Sequence, residues 1–487
     1  MPNLRRIAPW ALLLAVTAAI VALGYRRIAG APLGFLMDDG LFYARIAMQL
    51  ATTGQSSFDG IHQTSGYHLG WEGVLASLSW LLAPFTVDPH AHMGVFLTLS
   101  LFAVFACGFG FARRPLHRLV LIVLALSGHL LLETVPLVLV LLGMTRAMED
   151  LAEGGDRDGV SWTLVALAPL VPLLRIDATP AAVVLLFALV ADQRWATLRA
   201  ASLSLTAGVA LHFGLMFALF GEPWTVSAML RGFALLQGDA PPLVFNLLTY
   251  GAGTSARSAL VIVLPALAAV LAWRHRGAPR NRVLLWLVLG LGGFSATHLM
   301  LSHMRYWYFV PGLVGSAYVL GRLELPPGAA RRVRGGAMVA LGVLSVAYLG
   351  QKGWRLANLA DAQDDTWAFV EAIADHVPAG EPIFQIDGSG RTGFYSGRAV
   401  INGDGLVNDR QYARRLMAGR LGGYLDEEDV CYLIVNRAED RDPLIDRAGL
   451  LITRGEVVEL LRSGAYGRTD QVNYTLHRRQ GPACVGR

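Results

Sequence analysis

Charge is what this chain has least of. Only 16% of its 487 residues are Asp, Glu, Lys or Arg, whereas soluble domains carry roughly a quarter. With 54% hydrophobic residues, a soluble globular enzyme of this size would have to hide too much apolar surface, and intrinsic disorder is excluded by the same figures. Lysine is nearly missing: Lys352 stands alone, so almost all of the 41 basic residues are Arg. Cysteine is equally sparse. Cys107, Cys431 and Cys484 form no CxxC and no Cys/His metal spacing, although Cys431 and Cys484 can pair if the tail lies in an oxidising compartment. No internal repeat, low-complexity linker or inverted-repeat pattern of the transporter kind is visible. The net charge of +5 does not imply a nucleic-acid partner, because in a membrane chain basic residues mark cytosolic loops.

What is present is a succession of apolar runs. A hydrocarbon layer about 30 Å thick needs roughly 20 apolar residues per helix. Candidate spans are Ile7–Gly24, Ala91–Phe111, Leu116–Leu132, Thr134–Thr145, Val160–Leu174, Ala178–Val190, Ala200–Phe220, Leu260–Trp273, Val283–His298, Tyr306–Leu320 and Ala337–Leu349, about eleven in all. The first is not a cleaved signal peptide, since Tyr25-Arg26-Arg27 follows it in place of a small-residue cleavage site. With the N-terminus cytosolic, about 17 Arg fall in cytosolic segments and about six in the opposite connections, the arrangement that the positive-inside rule favours. Arg26 and Arg27 break the pattern and can snorkel.

The expected fold is therefore a polytopic α-helical membrane protein with a C-terminal extracytoplasmic α/β domain. Residues 1–350 form the transmembrane module, with a first outer loop over 25–90, and residues 351–487 form the outer domain. A second outer loop runs from Gly221 to Arg257. In the tail, Glu381–Ile386, Ala399–Ile401 and Val430–Val435 have strand composition, and Asp409–Leu421 and Glu456–Arg462 have helical composition.

The first outer loop concentrates the polar chemistry. Asp38-Asp39 opens a helical pattern that stops at Gly54. Two carboxylates there can simply be an N-cap and a first-turn partner of the helix dipole. One cap needs one residue, however, and the pair sits just outside the membrane. Leu41, Phe42 and Ile46 give this helix an interfacial apolar face, and Val74–Leu82 continues a second interfacial helix that Pro84 ends. Between them, Asp59-Gly60 and Ser65-Gly66 are turns, and His62, His68, Trp71 and Glu72 can be interfacial anchors.

Taken together, Asp38-Asp39 with Tyr43, Arg45, Ile46 and Ala47, then Ser57-Phe58-Asp59-Gly60 and Thr64-Ser65-Gly66-Tyr67-His68 before Trp71, resemble the bacterial GT-C glycosyltransferases. These use polyprenyl-phosphate sugars and include lipid A aminoarabinose transferases, protein O-mannosyltransferases and arabinofuranosyltransferases. The resemblance continues through Glu133-Thr134, Arg175-Ile176-Asp177-Ala178, Phe220-Gly221 with Pro223 and Ser227, Arg305-Tyr306-Trp307-Tyr308, Gly393-Phe394-Tyr395-Ser396 and Val400–Asn408. It departs at Leu69-Gly70, where the family often has Pro-Leu, and near Arg231, where it often has Lys.

The resemblance implies an inverting transfer from a polyprenyl-phosphate donor to an envelope glycan, lipid or protein, in the bacterial inner membrane. An aspartate of the first loop would be the base, Asp38 with Asp39 as its partner or alternate. Arg45, Arg175, Arg231 and Arg305 would meet the donor phosphate, although each can also be a snorkelling or salt-bridged Arg. Acceptor and sugar contacts would come from Tyr43, Asp59, His62, Tyr67, His68, Trp71, Glu72, Glu133, Asp177, Trp307 and Asp404. Some members of the class need a divalent metal (Mg, Mn or Ca), for which Asp38, Asp39, Glu133, His298 and His303 carry suitable atoms without a spacing motif. Gly388-Ser389-Gly390-Arg391-Thr392-Gly393 fits GxGxxG, but lacks the helix-forming character of a dinucleotide site and reads as a glycine-rich turn near the acceptor. Two other classes remain: a transporter or lipid flippase without transferase activity, which would place charged or broken helices near the midplane, and a scaffold with a degenerate site.

Overall fold

Proline marks where many of the helices begin, since its missing N–H costs nothing in a first turn. The computed structural model describes residues 2–30, 36–154, 159–230, 255–301, 306–358, 369–385, 388–418, 420–436, 466–470 and 474–479. In chain order the helices are α1 (Pro2–Gly30), α2 (Asp38–Thr53), α3 (Leu69–Leu82), α4 (Pro89–Phe111), α5 (Pro115–Leu126), α6 (Thr134–Ala152), α7 (Trp162–Leu167), α8 (Leu170–Leu174), α9 (Thr179–Ala191) and α10 (Trp195–Phe220). Then come α11 (Ser255–Arg274), α12 (Pro279–Leu301), α13 (Val310–Arg322) and α14 (Ala329–Asn358). Pro89, Pro115, Pro180 and Pro311 stand in the first turns of α4, α5, α9 and α13.

Every expected apolar run is helical over most of its length, but Leu116–Leu132 is helix only to Leu126, where the chain turns through His129 and Leu131 at positive φ. Among the described residues, four helices are long and apolar enough to cross a membrane by themselves: α1 over Ile7–Arg26, α4, α10, and α14 over Ala329–Trp354. The others are shorter or more polar, so the expectation of about eleven full crossings is not met on length and composition. The run Val160–Leu174 is a single span in the sequence but two short helices in the structure, α7 and α8. Pro169, which has no N–H to donate to the preceding turn, separates them.

The two ends of the bundle differ chemically. At the end assigned to the cytosol, Glu149 is fully buried on α6. It accepts from the Tyr318 hydroxyl (3.0 Å), from Arg322 Nη2 (2.6 Å) and from Arg146 Nη1 (3.3 Å). Nearby, Arg280 pairs with Glu153 and Glu324, and Arg282 with Asp192. These bonds tie α6, α12 and α13, and the α9–α10 connection, across loops that are rich in arginine.

At the opposite end, α2 and α3 have 16 and 14 residues, too short to cross the bilayer. They pack against each other, and α2 ends at Gly54, as the sequence indicates. The C-terminal region adds α15 (Ser389–Tyr395), α16 (Arg410–Met417) and α17 (Leu421–Glu427), with strands β1 (Ile383–Gln385), β2 (Val400–Asn402), β3 (Tyr432–Asn436), β4 (Tyr466–Asp470) and β5 (Tyr474–Arg479). The sheet order is β2-β1-β3-β5-β4. β1 pairs in parallel with β2 and β3, and β5 runs antiparallel to β3 and β4. The first three strands match the expected ones, β4 and β5 are additional, and the expected helix Glu456–Arg462 lies outside the described residues. Cys431 is disulfide-bonded and Cys107 is free and buried, while Cys484 lies outside the described residues.

The sheet region is packed onto the helical bundle. Phe394 and Val407 belong to the same apolar core as the membrane helices. A second core joins Val226 and Leu230, just after α10, to Phe384, Ile401, Tyr412 and Leu433. Removing the carboxylate at the other end tests how much the buried ion cluster contributes. Glu149→Ala leaves Arg322 without its buried partner and should cost roughly 3–5 kcal/mol, read as a large fall in the thermal unfolding midpoint of the purified protein in detergent.

Candidate active site

A cavity of about 410 Å³ opens between α2, α8, α9, α10, α12 and the C-terminal region. Its polar lining comprises Asp39, Tyr43, Tyr67, His68, Glu133, Arg175, Asp177, His212, Thr225, Ser227, Thr297, His298, Trp307 and Tyr308. Leu406 and Val407 of the C-terminal region complete the wall.

Arg175 organises this site. It lies between α8 and the 3-10 turn Ile176–Ala178 and is only 3% exposed. Its Nη1 donates to Glu133 Oε1 (2.8 Å), and its Nε and Nη2 donate to the two oxygens of Asp177 (2.9 Å each). Its face lies 4.5 Å from the Tyr308 ring centroid. Burial opposes its charge, but the carboxylates of Asp177 and Glu133 outweigh that and raise its pKa further. Asp177 is the complement. Burial would push it up, yet Arg175 and the bonds from His298 and Arg175 hold it well below the usual carboxylate range.

Around this core, His298 Nε2 lies 3.0 Å from Asp177 Oδ2, and the His298 ring stacks on Tyr308 with centroids 4.4 Å apart. His68 Nε2 is 3.6 Å from Glu133 Oε1. The Tyr43 hydroxyl donates to Glu133 Oε2 (3.0 Å) and accepts from the His68 N–H (3.3 Å). Burial, and then the charge of Glu133, raise the Tyr43 pKa well above the phenol value, so Tyr43 acts as a neutral donor.

The adjacent aspartates separate. Asp39 lines the cavity. Asp38 turns instead to the C-terminal region, where its carboxylate accepts from the N–H of Gly390 (2.8 Å) and of Arg391 (3.2 Å). A Cβ at Gly390 would collide with Asp38, and one at Gly66 would overlap the Leu406 carbonyl, so glycine is what lets the C-terminal region close on the first loop. The GxGxxG segment is thus the short helix α15 rather than a turn, and its glycines serve packing. Tyr25, His90 and Tyr395 add a second tie: the Tyr25 hydroxyl is 2.9 Å from His90 Nδ1 and 3.3 Å from the Tyr395 hydroxyl.

Several expected site residues lie elsewhere. Arg45 Nε donates to the Phe58 carbonyl (3.3 Å), which holds the loop and leaves it off the cavity wall. Asp59 accepts from the N–H groups of Ile61 and His62 and lies 2.7 Å from His62 Nδ1. The other ring nitrogen of His62 is 3.3 Å from Glu428. Burial disfavours the imidazolium, but Asp59 and Glu428 prevail and push its pKa up to about 9. Asp59 and His62 therefore latch the loop to the C-terminal region. Trp71 Nε1 donates to the Leu131 carbonyl (2.6 Å), and Asp404 caps the Leu406 N–H (2.9 Å). Glu72 is 1% exposed, and neither carboxyl oxygen has a hydrogen-bond partner. Arg231, His303 and Arg305 lie outside the described residues.

The expected metal ligands do not converge. Asp38 faces the C-terminal region, Glu133 and Asp177 are bound by Arg175, and among the described residues no group of three His, Cys, Asp or Glu is placed to hold a metal ion. The described donors do not fit a metal centre, and no chemistry is routed through one. The sequence reading missed His212 and Tyr308 as cavity residues and named His298 only as a ligand. The lone His within the apolar run Ala200–Phe220 was the available signal.

No protein-family model matches the chain, and no curated protein matches it by sequence. Among solved structures it is similar to ArnT from Cupriavidus metallidurans bound to undecaprenyl phosphate, with a TM-score of 0.56 and 12% identity over 98% of this chain and 99% of that one. The apo ArnT structure gives 0.53 and 12% over 99% of both. AglB from Archaeoglobus fulgidus, in complex with an inhibitory peptide and a dolichol-phosphate, gives 0.43 and 11% over 94% of this chain and 72% of that one. The chain thus has the fold of ArnT, and its apolar helices are those of a multi-pass membrane protein.

Two variants test the geometry. Burial raises the Glu72 pKa well above the carboxylate value, so the folded state holds this proton more tightly than the unfolded one. Its contribution is complete below the unfolded pKa and is lost as pH rises towards the folded one. Glu72→Gln should therefore flatten the fall of the unfolding midpoint as pH rises from the ordinary carboxylate range. Gly390→Val should push α15 off Asp38 and expose the C-terminal region to limited proteolysis several-fold faster.

Proposed function

We propose that the chain is an integral membrane glycosyltransferase that moves a sugar from a polyprenyl-phosphate donor to a cell-envelope acceptor. The observation that carries this reading is the cavity in which Asp39 and the Arg175 cluster share one enclosed space, within a fold shared with a protein crystallised with undecaprenyl phosphate.

The chemistry is a displacement at the anomeric carbon. The acceptor hydroxyl oxygen forms the new bond to that carbon while the bond to the donor phosphate oxygen breaks, and the lipid phosphate leaves with the electron pair. The acceptor proton passes to a carboxylate. Asp39 takes this role because it lines the cavity, whereas Asp38 is engaged by two backbone amides. Attack opposite the leaving group gives inversion. Arg175, with its orientation fixed by Glu133 and Asp177, supplies positive charge beside the departing phosphate. Tyr43, His68, Trp307 and Tyr308 offer polar edges and aromatic faces suited to a sugar ring. In this reading residues 1–350 form the catalytic membrane module and residues 351–487 an extracytoplasmic domain that roofs it. The N-terminus is cytosolic and the cavity opens on the outer face of the bacterial inner membrane.

Envelope glycans and glycolipids compared by mass spectrometry between cells with and without the gene should differ by one sugar increment. The wild-type gene should restore it. Asp39→Asn should lower transfer by about 10²–10⁴-fold and fail to restore it, while Asp38→Asn, which keeps one of the two oxygens that accept from the Gly390 and Arg391 amides, should retain most activity. Full restoration by Asp39→Asn would overturn the assignment of the base.

A further inference from the structure

Among the residues lining the cavity, one guanidinium faces three carboxylates, so a phosphate bound there draws on neutral donors as well. Asp39, Glu133 and Asp177 stand against Arg175, and Arg175 already bonds to two of those three carboxylates. The remaining nitrogen-bearing rings that line the cavity include three imidazoles. Two of them are held by carboxylates, His68 by Glu133 at 3.6 Å and His298 by Asp177 at 3.0 Å.

The third, His212, differs. It lies on α10, in the half of the helix nearer Phe220 and about 12 Å along the axis from that end. It is 2% exposed, and its Nδ1 is buried without a hydrogen-bond partner. An orphaned imidazole nitrogen this deep in an apolar helix is unfavourable for folding, and a Phe or Leu would fill the same space without that cost. Its ring is edge-on to Phe213, and Thr225 and Ser227 lie on the cavity wall beyond the end of the same helix.

We propose that His212 is a binding residue for the phosphate of the ligand that occupies this cavity. An imidazole N–H donates to a phosphate oxygen, and rotation about the soft ring torsion can present either nitrogen. A hydrogen bond to a charged acceptor in a low-dielectric site is stronger than one between neutral groups. His212 supplies it from the α10 wall, while Arg175 approaches from the junction of α8 and α9. The phosphate is thereby held between the α10 wall and the junction of α8 and α9, which pack directly on one another. This inference rests on the donor reading proposed above and adds a residue and a location to it.

The test uses the full-length protein in nanodiscs and measures binding of undecaprenyl phosphate, of undecaprenol, which lacks the phosphate, and of inorganic phosphate as competitor. His212→Phe, which keeps a ring but has no donor, should weaken undecaprenyl phosphate binding about ten-fold or more and leave undecaprenol binding unchanged. His212→Gln keeps an N–H donor and should bind within a few-fold of wild type, which separates a lost contact from a lost fold. Wild-type affinity in His212→Phe would overturn the inference and leave the proposed function standing. Failure of the wild-type protein to bind undecaprenyl phosphate would overturn both. Inorganic phosphate binding as tightly as the lipid, and lost in His212→Phe, would keep the phosphate contact and overturn the lipid as its source.

Discussion

The buried guanidinium of Arg175 is the interaction on which the rest of the site depends. A positive charge 3% exposed at the junction of two short helices is tolerable only with carboxylates at hand. Glu133 and Asp177 provide them from the start of α6 and the approach to α9. Each carboxylate then carries a further partner: Tyr43 and His68 on Glu133, His298 on Asp177. Five elements of the chain converge on one cation, and the cavity is the space they leave.

This arrangement also explains why the polar residues cluster at one end of the bundle. The end assigned to the cytosol uses its charges on one another, with Glu149 at the centre of Arg146, Tyr318 and Arg322. The other end satisfies Asp38 with backbone amides and Glu133 and Asp177 with Arg175. Asp39 lies on the wall of the cavity between them.

Much of the fold was legible in the sequence because apolar runs and prolines are local signals. Each expected apolar run is largely helical, and strands β1 to β3 fall where β-rich composition placed them. The break at Pro169 was missed because hydropathy does not register a lost backbone donor. The site was legible in part. Asp39, Tyr43, Tyr67, His68, Glu133, Arg175, Asp177 and Trp307 do share the cavity, but Asp59, His62, Trp71 and Asp404 are bound to loop and backbone partners instead. Adjacent aspartates at the head of a helix look equivalent until the residues facing each are known. For Asp38 those residues lie more than 350 positions away in the chain, beyond the reach of any spacing argument.

That separation has a consequence for biosynthesis. Asp38 emerges from the ribosome with the first helices, yet the amides that donate to it belong to Gly390 and Arg391. Throughout synthesis of the intervening helices the head of α2 has a carboxylate without its final partners, and the wall formed by Leu406 and Val407 does not exist. The cavity is therefore completed by residues made long after the helices they cover. A nascent polypeptide that has already formed those helices lacks that wall.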